Sequence, residues 1–209
     1  MTPIGCSSRT FRCELISRLD SLRARIRPHF LFNTLNSIAS LIVSRPETAE
    51  QAVEDLSELF RVSLGEDQRQ ATVADELRLC ELYLGIEELR LGERLRVEWK
   101  VDDAARDQPM PSLLLQPLVE NAIYHGIEPL AGGGVIDILI EPVNSRIEIS
   151  ITNPLTPAQQ QRQREGNRMA LENIRERLDL AFAGSASMDI KESESSYTVK
   201  LLIPMVDAV

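Results

Sequence analysis

The sequence is poor in the residues that most often announce chemistry: three cysteines, two histidines and 4% aromatic residues in 209 positions. Cys6, Cys13 and Cys80 are odd in number and none stands in a CxxC pair, so neither a disulfide framework nor a cysteine zinc site is indicated. A reducing, cytoplasmic setting is the resulting expectation. No run of 18 apolar residues occurs, and no segment reads as a membrane span. A GxxxxGK[ST] loop is missing, which excludes the P-loop cradle for phosphates. An excess of positive charge is missing too: the net charge is -9, against a general nucleic-acid-binding surface, which needs clustered Lys and Arg. There is no internal repeat.

What is present is a soluble globular composition, 43% hydrophobic and 26% charged, long enough for a small helical element followed by one domain of about 130 to 150 residues. Charge is uneven: Arg9, Arg12, Arg18, Arg23, Arg25 and Arg27 face only Glu14 and Asp20. That stretch reads as a solvated helix face, or as a segment lying just inside a membrane.

From Leu15 to about Val43 apolar residues recur at steps of three and four, the period of a helix face. A second stripe, Leu31, Leu35, Ile38 and Ile42, runs beside the first, so the helix needs partners on two sides. Ser44-Arg45-Pro46-Glu47 combines a capping-box pattern with an early helical proline, and the helix it opens, stopping near Gly65, completes a hairpin. Two hairpins from two chains would bury both stripes as a four-helix bundle, so a homodimer is expected. The polar stretch 65–71 marks a boundary. Beyond it a helix from Thr72 to Gly92, a strand from Arg94 to Val101, a helix entered after Pro111 and ending at Gly126, and strands around Ile136–Ile140 and Ile147–Ile151 are predicted. A mobile loop from Pro154 to Glu165, a helix from Arg168 to Ala183 and strands Ser187–Lys191 and Tyr197–Ile203 close the chain. The order implies an α+β two-layer sandwich with helices on one face.

His29 stands in Arg27-Pro28-His29-Phe30-Leu31-Phe32-Asn33. A proline inside a helical pattern removes a donor and crowds the preceding turn, so a kink is expected that leaves the imidazole exposed, with Asn33 one turn on to orient it. Accepting a phosphoryl group needs a neutral imidazole with one nitrogen free, a form histidine offers near neutrality. Arg25-Ile-Arg-Pro-His-Phe-Leu-Phe-Asn-Thr-Leu-Asn-Ser-Ile38 resembles the H-box of the LytS/AlgZ class of sensor histidine kinases, in which the histidine after the proline is phosphorylated. Leu115-Gln-Pro-Leu-Val-Glu-Asn-Ala-Ile-Tyr-His-Gly126 resembles that class's N-box, and Tyr83-Leu-Gly-Ile-Glu-Glu-Leu-Arg90 with Arg94-Leu95 resembles the opening of its ATP-binding domain. The blocks occur in the family's order, and the similarity runs from about Leu22 to Pro204.

The resemblance implies a stub over 1–14, a dimerising hairpin over 15–65 and a Bergerat-type ATP-binding sandwich over 72–209. It implies ATP and Mg as cofactors, with Asn121 holding Mg²⁺ and Glu120 beside it. His125 and Gly126 would close the helix near the nucleotide; Glu120 and His125 read equally well as an exposed polar residue and a helix cap. Asn153 takes the place of the adenine-binding Asp in the family's DxGxG-like box, here Thr152-Asn153-Pro154-Leu155-Thr156. The later glycine-rich box appears as Gly166-Asn-Arg168-Met-Ala-Leu171 and runs into Glu172-Asn173, so Gly166, Arg168, Leu171 and Asn173 are the remaining candidate nucleotide contacts. Tyr124 stands where many relatives place a phosphate-binding Lys. The implied function is autophosphorylation of His29 from Mg-ATP and transfer to an Asp of a response regulator, with output of the LytTR type. The alternative is a pseudokinase scaffold or regulator phosphatase. Membrane attachment would come through spans outside this sequence, placing the soluble module on the cytoplasmic side of the bacterial inner membrane.

Overall fold

The computed structural model describes residues 28–63, 71–155 and 168–206. The chain divides into two compact units, Met1–Asp67 and Gln68–Val209.

The first unit is a helical hairpin of α1 (Pro28–Leu41) and α2 (Pro46–Ser63). Steps of three and four place Phe30, Thr34, Ile38 and Leu41 on one side of α1, buried with Ala49, Ala52, Leu56, Leu59 and Ser63 of α2. The buried hydroxyls are satisfied within their own helices, Thr34 donating to Phe30 O at 2.9 Å and Ser63 to Leu59 O at 2.7 Å. Two expectations change. Ser44 does not cap α2; its hydroxyl donates back to Ser40 O at 3.4 Å, and Arg45 precedes the helix, its carbonyl accepting from Ala49 N–H at 3.1 Å. Pro46 then occupies the first helical position, where its missing N–H costs nothing. Of the second apolar stripe, Ile38 turns into the hairpin, whereas Leu35 and Ile42 stay exposed along with Phe32 and Val53. The helix expected over Leu15–Ile26, and the kink at Pro28 that depends on it, lie outside the described residues.

The second unit opens with the two-residue strand β1 (Ala71–Thr72) and α3 (Val73–Leu91). Thr72 forms a complete capping box: its hydroxyl accepts from Asp75 N–H at 3.2 Å while Asp75 accepts from Thr72 N–H at 2.9 Å. At the other end Gly92 N–H donates to Glu88 O. Thr72→Ala removes one half of that exchange, and urea unfolding of the full chain should show a loss of about 1 kcal/mol.

The main sheet runs β2-β4-β5-β7-β6, with β2 (Leu95–Val101), β4 (Gly134–Val143), β5 (Arg146–Pro154), β6 (Ser187–Glu192) and β7 (Ser196–Pro204). Only β2 and β4 are parallel. The two-residue β3 (Pro109–Met110) pairs with β1 in a small separate ladder. Side chains alternate across a strand, so Ile136, Ile138 and Ile140 of β4 share the buried face with Ile147, Ile149 and Ile151 of β5 and with Val199, Leu201 and Ile203 of β7. Each fully buried isoleucine contributes roughly 1.5–3 kcal/mol. The opposite face carries polar pairs such as Lys200–Glu148 at 2.6 Å and Thr152–Thr198 at 2.9 Å. Helices α3, α4 (Gln116–Ala122) and α5 (Arg168–Phe182) supply the other buried surface, including Leu77, Leu84, Leu118, Val119, Ile174 and Leu178. This is the expected α+β arrangement.

Between β3 and β4 the structure departs from the expected helix. It begins at Gln116 and not after Pro111, and Leu113 just before it has φ +57°. Its end is a π-helical turn, Ile123–Ile127, in which Glu128 N–H reaches Ile123 O at 2.9 Å. Gly133, at φ +68°, packs against the Arg94 backbone so closely that a Cβ would lie 2.0 Å from Arg94 O. That contact seats the start of β4 beside the start of β2.

Candidate functional site

On the hairpin, His29 is exposed on the first turn of α1. Asn33, one turn later, brings its carboxamide nitrogen to 3.1 Å from His29 Nδ1 and 3.4 Å from Nε2. The spacing of four that makes these two neighbours is fixed by the helix alone. The carboxamide can meet Nδ1 with either end. With its nitrogen donating, Nδ1 is the unprotonated nitrogen; rotated by half a turn, its oxygen accepts from Nδ1–H and leaves the lone pair on Nε2.

In the sandwich the site is built where α4 and its wide turn meet the end of β5. Alternation along β5 puts Asn153 on the same face as Ile147, Ile149 and Ile151, so the strand's inward row ends in a carboxamide. Asn153 is buried, only 3% exposed, and its nitrogen donates to Pro154 O at 2.8 Å, so the oxygen is the end offered to a donor. Gly126 lies directly against it. A Cβ on Gly126 would fall 2.4 Å from Asn153 Nδ2 and 2.7 Å from its Cβ, so a glycine is required there. The structure therefore unites two of the candidate residues that lie 27 positions apart.

Asn121 is buried on α4, five residues before Gly126. Beside it Gln116 donates to Glu120 at 2.9 Å, while the buried Gln116 Oε1 has no hydrogen-bond partner among the described residues. An otherwise apolar helix thus carries a polar strip of Gln116, Glu120 and Asn121. His125 is not a helix cap: it lies inside the wide turn, half-buried, its ring edge-to-face with Tyr124 at 4.8 Å between centroids. Below the turn Arg90 bridges Glu87 and Glu128, and Arg94 donates to the carbonyls of Glu128 at 3.0 Å and Leu130 at 2.9 Å. These bonds tie the exit of the turn to α3 and β2.

The later candidates are less concentrated. Helix α5 begins at Arg168, Leu171 is buried in the core and Asn173 is exposed. Gly166 and the loop expected up to Glu165 fall outside the described residues beyond Leu155. Cys80 is a buried free thiol whose pKa burial pushes well up, in keeping with a packing role.

Two residues of consequence were missed in the sequence. Glu76 on α3 is fully buried, and its carboxylate accepts from the N–H groups of Leu113, of Leu114 at 2.7 Å and of Leu115 at 2.8 Å. Arg177 on α5 donates to the carbonyls of the same loop, Leu113 O at 2.8 Å and Ser112 O. The signal was available: Glu76 falls in the three-and-four spacing of Val73, Cys80, Tyr83 and Leu84, and a carboxylate in a buried row needs a dedicated set of donors.

The sequence profile of the family described as Histidine kinase matches residues 17–95. The sensor histidine kinase YpdA of Escherichia coli is 34% identical over 196 residues, covering 90% of this chain and 34% of YpdA. The sensor histidine kinase/phosphatase LytS of Staphylococcus aureus is 30% identical over 200 residues, with the same two coverages of 90% and 34%. The chain thus spans about a third of the length of the curated relatives it matches. Among solved structures, a bacterial phosphotransferase at 1.7 Å resolution shares the fold with a TM-score of 0.55 and 13% identity, over 89% of this chain and 96% of that one.

Proposed function

We propose that the chain, nine-tenths of which aligns with the sensor histidine kinases YpdA and LytS, is the kinase module of such a sensor: the second unit binds Mg-ATP and His29 takes the γ-phosphoryl group. The observation that carries this reading is the packing of Gly126 against Asn153 at the end of the helix that bears Asn121. A glycine kept clear of side chain beside a buried acceptor is what a planar base with an exocyclic amino group requires. Asn153 Oδ1 accepts from that amino group, in place of a charged carboxylate, at a cost of about 1 kcal/mol.

Magnesium fits the donor set. Among the described residues no group of three or more His, Cys, Asp or Glu is arranged to hold a metal ion, but Mg²⁺ takes few protein oxygens and several from phosphate and water, so the Asn121 carboxamide suffices. Bound there, the ion supplies neutralisation of charge on the phosphates, which with positioning is most of the catalysis in phosphoryl transfer. With the Asn33 carboxamide rotated by half a turn, its oxygen accepts from His29 Nδ1–H and the lone pair is left on Nε2. His29 Nε2 attacks the γ-phosphorus, the bond to the β–γ bridging oxygen breaks, and ADP departs with the electron pair. The phosphoryl group then passes to an aspartate of a response regulator, with LytTR-type output. A second copy of the hairpin covers the exposed row of Phe32, Leu35, Ile42 and Val53 in a homodimer. No described helix is long and apolar enough to cross a membrane; attachment to the inner membrane would come from the remaining two-thirds of a protein built like its relatives.

Purified chain incubated with γ-labelled ATP and Mg²⁺ should acquire an acid-labile, base-stable label. Mg-ATP should also raise the melting temperature, because binding to the folded state adds RT ln(1 + [L]/Kd) of stability, about 2.7 kcal/mol at a hundredfold excess over Kd. A thermal shift without label at millimolar ATP would leave a nucleotide-binding scaffold; neither signal would leave a pseudokinase.

A further inference from the structure

We propose that Glu76 and Arg177 are positioning residues for the nucleotide site, clamping the Ser112–Leu115 turn from opposite sides so that α4, and Asn121 on it, is held in place. The inference rests on the function proposed above and adds to it two residues, far apart in sequence, that touch no nucleotide.

The turn needs holding. Leu113 is a non-glycine residue at φ +57°, a backbone state that persists only where the surroundings over-determine it. Helix α4 follows at once and has no side-chain cap, with Leu115 at its N-cap position. In place of a local cap, Glu76 gathers three consecutive backbone N–H groups from 37 to 39 residues away. Arg177 takes the carbonyls of Ser112 and Leu113 on the other side of the same peptide units. Donors and acceptors of the turn are thereby both satisfied by side chains, one from α3 and one from α5. Burial pushes the Glu76 carboxyl pKa up, and the three amides and the Arg177 charge pull the other way.

Only six residues separate Leu115 from Asn121 along a stiff helix, so a shift of the turn is delivered to the carboxamide almost undiminished. Arg177 adds a second link. It lies on α5, whose first turn holds the described part of the glycine-rich box, Arg168–Leu171, so its bonds to Ser112 and Leu113 link α5 to the turn that leads into α4. Residues that orient a metal ligand through hydrogen bonds typically matter almost as much as the ligand.

The test uses the full chain and Mg-ATP as the calorimetric titrant. Glu76→Gln is isosteric but turns an amide nitrogen toward N–H groups; Arg177→Gln, at a half-buried position, removes the carbonyl clamp and serves even where Glu76→Gln fails to fold. Ile149→Val, a buried sheet position with no tie to the turn, controls for lost stability. Each clamp variant is expected to weaken Mg-ATP binding by about 10- to 100-fold, while Ile149→Val stays within about twofold of wild type. Clamp variants that melt earlier but bind Mg-ATP as the control does would overturn the proposal and leave the kinase reading standing. Wild type that fails to bind Mg-ATP would overturn both.

Discussion

His29→Ala should lose all acid-labile label from γ-labelled ATP while keeping its fold and its Mg-ATP-induced thermal shift. The expectation follows from where His29 stands. It is exposed on α1, in a compact unit separate from the one that holds Asn121, Gly126 and Asn153, so its removal deletes the proposed nucleophile while leaving the residues proposed to contact the nucleotide unchanged. Exposed substitutions of this kind change stability by less than about 0.5 kcal/mol. Asn33→Ala sharpens the result. It leaves the imidazole but frees it from its partner at 3.1 Å, and label should still appear, slowed by up to about 100-fold, the scale of a misoriented reacting group. Label retained at full rate in His29→Ala would move the phosphoacceptor elsewhere, and the other histidine, His125, would be the residue to examine.

Gly126→Ala should abolish the Mg-ATP thermal shift and cost about 1–3 kcal/mol of stability, the usual range for an extra methyl forced into a packed site. The new Cβ would overlap the Asn153 side chain from Nδ2 back to its Cβ, so rotating the carboxamide tip aside is not enough. Either Asn153 leaves its rotamer or the wide turn moves away from β5. Both displace the acceptor proposed for the base. Gly126→Ala combined with Asn153→Ala removes the overlap and should recover much of the stability without recovering binding, a non-additivity expected only of residues in contact. Asn121→Ala provides the contrast, losing binding with no overlap to relieve. A Gly126→Ala protein that still shows the full thermal shift would place the nucleotide away from Asn153.

How much of this could be read from the sequence depended on the range of the interaction responsible. His29 and Asn33 are four apart on a helix, and Thr72 and Asp75 close a box within three residues, so both lie within reach of local sequence rules. The alternation in Ile147–Ile151 carried Asn153 to the buried face without further help. The start of α4 could not be read locally, because the bonds that hold it come from Glu76 and Arg177, on α3 and α5. Pro111 and Pro117 are both plausible helix openers by local rules; the remote carboxylate decides between them. Ser44-x-x-Glu47 illustrates the opposite failure. The local pattern was complete, yet Ser44 bonds backwards to Ser40, because the short link between α1 and α2 keeps Arg45 at the cap. The parallel pairing of β2 with β4 was hidden for a third reason: more than thirty residues separate the strands, and neither the glycines Gly132, Gly133 and Gly134 nor the alternation states a partner.

The wide turn at Ile123–Ile127 has a counting consequence. A π-helical turn is an α-helix holding one surplus residue, its bond running from Glu128 back to Ile123 over five positions in place of four. Seen as arithmetic, the chain leaves the turn after Ile127 about 100° out of phase with the α4 residues before it. Remove Ile123, Tyr124 or His125 and the ordinary four-residue bonding returns, but the position facing Asn153 then passes from Gly126 to a neighbour that has a side chain. The insertion and the glycine are thus a matched pair: gain or loss of the extra residue before Gly126 changes which position must be glycine, and a length difference of one there reshapes the proposed base-binding site.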